Sequence, residues 1–250
     1  DILSALESEI ARLSHKDVKI RSRAVRHLFD ADNPRALKGF VPLLKDKDIW
    51  FKNKALDAHR RWANYPEDLL PLMVDNQRLV GELLQRITAP DIAKELLLNE
   101  DYIIRSFAAK SLKNHEELHN DFCNDEHHSV RLVAAQNTVD EIIISNLIVD
   151  EHSSVRSAAL FNASSNNIEL SQDILNDAFS SNDPSLRSVV ASIAVEIGGD
   201  ILVRACSDSN PKVKKAISQA MREQIKSVDK RILSVMDNSP DLVGRWLRKR

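Results

Sequence analysis

A short pattern recurs down the whole chain: a polar turn, an apolar residue, a basic residue, then a small or apolar residue three further on. The best copies are DYIIRSFA at Asp101–Ala108, DEHHSVRLVA at Asp125–Ala134, DEHSSVRSAA at Asp150–Ala159 and DPSLRSVVA at Asp183–Ala191. Two of them share DEH-x-SVR and lie 25 residues apart. A repeat of this length constrains the fold before anything else does. One unit cannot bury its apolar face alone, so stacked units must bury it against their neighbours.

Taking the apolar residue of each copy as an anchor gives Ile20, Phe51, Leu79, Ile104, Val130, Val155, Leu186, Val213 and Leu242. Seven of the nine residues that follow are basic: Arg21, Lys52, Arg105, Arg131, Arg156, Arg187 and Lys214. The exceptions are Val80 and Val243. Before each anchor the apolar spacing is 3 and 4, as in Leu37, Phe40, Val41, Leu44 and again in Ile142, Ile143, Leu147. Helix starts are marked by Asn33-Pro34, Asn64-Tyr65-Pro66 and Thr88-Ala89-Pro90, by a capping box at Thr138 with Glu141, and by Ser227. No stretch alternates like a strand, glycines number only 5, and Asn-Gly and Asp-Gly hairpin turns are absent. The reading is an all-α chain, two helices per repeat, running as a single array over 1–250 with about eight repeats and a partial ninth.

The polar turn has a physical role. Asp17, Asp101 and Asp183 sit three before their anchors, where a carboxylate caps a helix. Asp125, Asp150 and Asp208 sit five before, in the turn itself, with His127 and His152 in the nearer slot. The basic residue lies four after the cap slot, placed to pair back along its helix or across to the next turn. Arg21, Lys52, Arg105, Arg131, Arg156 and Arg187 are therefore assigned to structure. Ala24, Ala55, Ala108, Ala134, Ala158 and Ala191 allow close helix approach.

The D-x-x-V-R-x-x-A signature, the helix pairing and a proline inside a first helix (Pro42 in KGFVPLLKDKD) resemble HEAT repeats. The central repeats of 25 residues are also similar to the leucine-rich-variant repeat. The resemblance spans nearly the whole chain and implies an α-α superhelix, a HEAT-like and armadillo-like α-solenoid whose second helices line a concave face. For function it implies mostly scaffolds, with subsets that bind nucleic acid, act on bilin attachments or excise alkylated bases. Fold analogy does not choose among these.

Charge distribution narrows the choice. The net charge is −2, which argues against a dedicated nucleic-acid binder. Residues 15–61 carry 13 basic and 6 acidic side chains, residues 62–210 carry 10 and 24, and residues 211–250 carry 11 and 4. The amino-terminal basic cluster is the candidate binding site: Arg23, Arg26, Lys54, Arg60, Arg61 and Trp62 on the second helices of repeats one and two, extended by Lys110 and Lys113. His59 and Trp50 lie beside it. A basic groove with an aromatic suits phosphates or an acidic peptide. The alternative is that Trp62 packs between helices and the arginines are merely solvated. At the other end, Gly244–Arg250 reads as a cap burying Trp246 and Leu247, or as a contact for anionic partners through Arg248, Lys249 and Arg250.

Three enzyme readings are weaker. His115-Glu116-Glu117-Leu118-His119 matches H-E-x-x-H, but Glu117 is charged where zinc peptidases keep an uncharged residue, and no G-x-x-H follows. Asp57, Arg61 and Trp62 on one helix are similar to an alkyl-base glycosylase set, yet the central second helices carry no Trp, only Phe107 and Phe161. No Gly-rich phosphate loop or hydrolytic triad stands out. Cys123 and Cys206 fall in different repeats, which fits a reduced compartment. There is no apolar run near 18 residues and no signal-peptide pattern, and the first residue, Asp1, leaves open what precedes it. The expectation is a non-enzymatic, cytoplasmic protein-interaction scaffold without a cofactor or a membrane contact. Its partner would be a protein or peptide of acidic character, with nucleic acid the alternative.

Overall fold

The computed structural model describes residues 1–223, and those residues hold sixteen α-helices and no strand. They pair as first and second helices of eight repeats. The pairs are α1 (Ile2–Arg12) with α2 (Val18–Ala31), α3 (Leu37–Phe40) with α4 (Ile49–Trp62), α5 (Pro66–Leu69) with α6 (Gln77–Leu83), and α7 (Pro90–Leu96) with α8 (Tyr102–Ser111). Then follow α9 (His119–Cys123) with α10 (His128–Asn137), α11 (Glu141–Leu147) with α12 (Ser153–Ser165), α13 (Gln172–Phe179) with α14 (Pro184–Ile197), and α15 (Asp200–Cys206) with α16 (Pro211–Glu223). The ninth anchor, Leu242, the start at Ser227 and the Gly244–Arg250 segment lie outside the described residues. The chain divides into two compact modules, Asp1–Leu112 and a second beginning at Lys113. Each holds four of these pairs.

Every described anchor is the third residue of its second helix, and all but the half-buried Ile20 are buried. The caps explain why. Asp17, Asp48, Asp101 and Asp183 each accept the backbone N–H two residues on, at 2.8 Å. Asn210 does the same at 2.9 Å. The residue two before each cap accepts the cap's own N–H: Asp46, Asn99, Asp125, Asp150 and Asp208 at 2.8 Å, and Ser181 at 3.1 Å. Two donors at these helix starts are thus satisfied by two side chains, whereas Asn76 ahead of α6 makes no such bond.

The repeat arginines tie consecutive repeats together. Arg131 Nε and Nη2 grip Asp150 at 2.7 and 3.0 Å, and its Nη1 donates to the carbonyls of Asp125 and Glu126. Arg187 reaches Asp208 at 2.8 Å and Arg21 reaches Asp46 at 2.7 Å. Burial opposes charge on Asp150, but the Arg131 guanidinium and the His152 N–H hold its carboxyl below the usual range. Arg156 breaks the series. The next turn offers it Ser181 rather than an aspartate, its Nε is buried without a partner, and its nearest carboxylate is Asp177 at 3.9 Å.

The degenerate third copy is a genuine repeat. Leu79 and Val80 are both buried, and Arg78, one residue earlier, spans to Asp101 at 2.8 Å. Here the inter-repeat ion pair comes from the neighbouring position. Two details differ from the sequence reading. Asp140, not Thr138, caps α11, accepting from Ile142 and Ile143, because a carboxylate two residues on can reach both donors; Thr138 instead accepts the Asp140 N–H. Ala158 faces outward, and the close approach is made by Ala159, which is fully buried. Pro42 ends the α-helical part of its first helix, and Val41–Lys45 continues as a 3₁₀ turn.

Candidate functional site

Counting from the anchor gives one register for every second helix. In the carboxyl-terminal module, positions at or near three and six past the anchor line two adjoining cavities. One, of about 690 Å³, is walled by Leu132 and Gln136 of α10, Ser157 and Phe161 of α12, and Val189 of α14. The other, of about 570 Å³, runs from Phe161 and Ser165 past Ser188 and Ser192 to Gln219 of α16. Phe161 belongs to both and is 66% exposed. This face is built of hydroxyls, amides, aliphatic side chains such as Leu132, Val189 and Ile193, and one aromatic ring, with carboxylates at its margins (Asp183, Glu196, Glu223).

The same register in the amino-terminal module carries charge. Three past the anchor stand Arg23, Lys54, Glu82 and Phe107; six past stand Arg26, Asp57, Gln85 and Lys110. Arg23 and Arg26 are exposed and have no ion-pair partner among the described residues. Lys54 Nζ sits 5.5 Å from the Phe29 ring and 5.7 Å from the Trp50 ring, and Lys110 Nζ lies 5.8 Å from Phe107. These geometries hold an ammonium by cation–π attraction while leaving its charge available. The sequence-predicted Arg23, Arg26, Lys54 and Lys110 therefore share one solvent-facing register.

The other three predicted residues do not join them in the same way. Trp62 is buried and stacked among Phe29 and Phe40 at centroid distances of 4.9 and 5.8 Å, and its Nε1–H donates to Asp32 at 2.9 Å. It is core, as the packing alternative had it. Its position, eleven past the anchor, falls on the buried stripe with Ala55, Ala58 and His59. Arg60 lies outside the register's positions, nine past the anchor, and is committed to Asp57 at 3.2 Å. Arg61 pairs with Asp32 at 2.8 Å and lies 5.9 Å from the Phe29 ring. Hydrogen bonds from Trp62 and Arg61 hold the Asp32 carboxyl below its usual range. Asp32 ends α2 in a left-handed conformation (φ 48°), which is how its side chain comes to face α4.

Arg61 also lines a cavity of about 940 Å³ where second helices end and first helices begin, together with Arg35, Lys38, Tyr65 and Arg86. Sequence reasoning missed this set because Arg35 and Lys38 come from the stretch before an anchor. The cations there are largely committed: Lys38 to Glu7 at 2.8 Å, Arg61 to Asp32, and Arg86 to the carbonyls of Ala63 and Arg60. His59, on the same wall, is fully buried; burial pushes its imidazole below the usual value, and its Nδ1 bonds the Ala55 carbonyl at 2.7 Å.

The enzyme-like constellations take other forms. His115 and His119 do not share a helix face, because Glu116–Leu118 is a 3₁₀ turn and α9 begins only at His119. His119 is buried with Nε2 on the Lys113 carbonyl at 2.6 Å, and His115 Nδ1 meets Glu117 at 3.1 Å. Among the described residues no group of three His, Cys, Asp or Glu side chains is placed to hold a metal ion. Asp57 and Trp62 point to different neighbours, so the glycosylase-like trio is not assembled. Cys123 and Cys206 are both buried and unpaired as thiols, and burial raises the latter to about 11. No described helix is long and apolar enough to cross a membrane.

No family model and no curated protein matches the chain. Solved structures do. YibA of Escherichia coli is 12% identical over 92% of this chain and 90% of its own, with a TM-score of 0.44. An engineered protein is 14% identical over 96% and 88%, with a TM-score of 0.38. A chain of the CpcE–CpcF phycocyanin lyase complex from Nostoc is 20% identical over 95% and 94%, with a TM-score of 0.37.

Proposed function

We propose that the protein is a non-enzymatic interaction module of HEAT type, intracellular, whose amino-terminal module holds an acidic segment of a partner protein. One observation carries this reading: Arg23, Arg26 and Lys54 occupy one outward register of adjacent second helices, without an ion-pair partner among the described residues, and Lys54 lies over the rings of Phe29 and Trp50. An aromatic ring beside an uncommitted cation is a combination that concentrates binding energy at protein interfaces. The helical-repeat architecture supports it by presenting equivalent positions of successive repeats side by side.

Nucleic acid is the second reading, since the same cations suit phosphates. The balance of charge in the module speaks for the peptide. Residues 1–112 carry 19 basic and 17 acidic side chains, so a phosphate backbone running past the cationic patch would meet carboxylates such as Asp57 and Glu82. The test is equilibrium binding of a glutamate-rich peptide, a short duplex DNA and a single-stranded RNA to the full chain across a salt series. The reading expects the peptide to bind with a shallow salt dependence. Tight nucleic-acid binding with a log–log slope of about −3 or steeper, and no peptide binding, would overturn it.

A further inference from the structure

Two consecutive second helices carry an imidazole in the cap slot, where the others carry a carboxylate or, at Asn76 and Asn210, an amide. The caps of α10 and α12 are histidines. His127 Nδ1 accepts the Ser129 N–H at 3.2 Å and faces the Ser129 hydroxyl at 2.7 Å. His152 Nδ1 accepts the Ser154 N–H at 3.3 Å and faces the Ser154 hydroxyl at 2.8 Å. A backbone N–H can only donate, so each capping Nδ1 must be bare and each ring neutral.

Between them lies His128. Its ring is parallel to that of His152 (7°, 3.7 Å between centroids) and 4.4 Å from that of His127. Its Nδ1 is buried without a partner. The three rings form one stack across the junction of the fifth and sixth repeats. Charged residues flank it in the chain and in the next turn. Arg131 stands on α10, Asp125 and Glu126 in the turn before it, and Asp150 and Glu151 in the next turn. Asp150 offsets a new cation only in part, because both its oxygens are already held by Arg131. Burial first, then His152, His127 and Arg131, push the His128 imidazole below its usual value, with only Asp150 opposing.

We propose that this stack is an acid-operated release. Protonating His127 or His152 turns the capping acceptor into a donor and sets a cation at a helix N-terminus, where the dipole is repulsive. Protonating all three puts three positive charges in face contact beside Arg131. The sign follows from the depressed value of His128. The unfolded chain takes up its proton first, so the stabilisation is complete above about pH 6.5 and is lost as pH falls below it. The other described caps are the carboxylates Asp17, Asp48, Asp101 and Asp183 and the amide of Asn210, none of which turns from acceptor to cation on protonation. Acid therefore loosens one repeat junction and leaves the rest of the array capped. That junction carries Gln136 and Phe161, so the neutral face of the carboxyl-terminal module is what acid remodels. This inference is independent of the partner proposed above.

The chain itself supplies the control. Repeat two uses Asp46 and Asp48 in the turn and cap slots, so His127→Asp and His152→Asp install a pattern the fold already accepts. Hydrogen exchange of the full chain, corrected for intrinsic rates, is compared at pH 7.5 and pH 5.5. Protection over α10 and α12 should fall about five- to tenfold more than over α2 and α4, in keeping with two lost caps. The double variant should lose this extra fall. His152→Asp alone should protect α12 and leave α10 sensitive, which keeps the test local if the double variant folds poorly. Equal falls over α2, α4, α10 and α12 in the wild-type chain, or an undiminished fall in the Asp variants, would overturn the proposal.

Discussion

The two modules use the same register for opposite chemistry. Residues 1–112 and residues 113–223 each carry 17 acidic side chains, but the first stretch has 19 basic ones and the second only 9. Part of that difference lies in the outward register, beside Asp57 and Glu82. Three and six past the anchor, the amino-terminal module places Arg23, Arg26, Lys54 and Lys110, and the carboxyl-terminal module places Ala158, Val189, Gln136, Phe161, Ser192 and Gln219. Their buried positions are nearly interchangeable: Ala24, Ala55, Ala108, Ala134 and Ala159 are all fully buried four past the anchor. The buried core is specified by one set of offsets and the charge of the outward register by another, so one can change without the other.

The comparison breaks most visibly in the core. Trp62→Ala removes a ring packed on Phe29 and Phe40 and frees Asp32 of a donor, and should cost about 4 kcal/mol in chemical denaturation. A cost below about 1 kcal/mol would return Trp62 to the candidate surface. Next comes the inter-repeat arginine. Arg131→Ala leaves Asp150 nearly enclosed and unpaired and should cost about 3 kcal/mol. Arg21→Ala, at a more exposed pair, should cost less by the same measurement. A smaller and opposite effect is expected where the series lapses. Ser181→Asp keeps an acceptor for the Asp183 N–H and offers Arg156 the carboxylate it lacks, for a gain of about 1 kcal/mol. The smallest belongs to the open face of the carboxyl-terminal module: Phe161→Ala should change stability by no more than about 0.5 kcal/mol. A large loss there would mean the ring is covered rather than presented.

Much of this was legible in the sequence. Because an anchor must be buried and a cap must sit three residues before it, the spacing alone placed all eight described second helices, including the copy at Leu79 whose basic residue is missing. That Arg23, Arg26, Lys54 and Lys110 share one outward register was legible for the same reason. What was not legible depends on contacts outside the register. Trp62 is withdrawn into the core by Asp32, a residue in a left-handed turn that no periodicity marks. Arg35, Lys38 and Arg86 meet Arg61 only because helix ends converge, and first-helix residues carry no anchor to count from. The histidine stack left a trace in the doubled DEH-x-SVR, where the cap slot reads His twice, but ring stacking across one repeat needs the rise between repeats, which a sequence does not state.

The most direct test of the central claim sets the two faces against each other in one assay. Affinity for a glutamate-rich peptide is measured for the wild-type chain, for Arg23→Glu/Arg26→Glu/Lys54→Glu, and for Gln136→Ala/Phe161→Ala, with stability checked in each. The account expects the charge-reversed variant to fold normally and lose at least about tenfold in affinity, an effect of roughly 1.4 kcal/mol or more, while the second variant binds as the wild type does. Undiminished binding by the charge-reversed variant would contradict it.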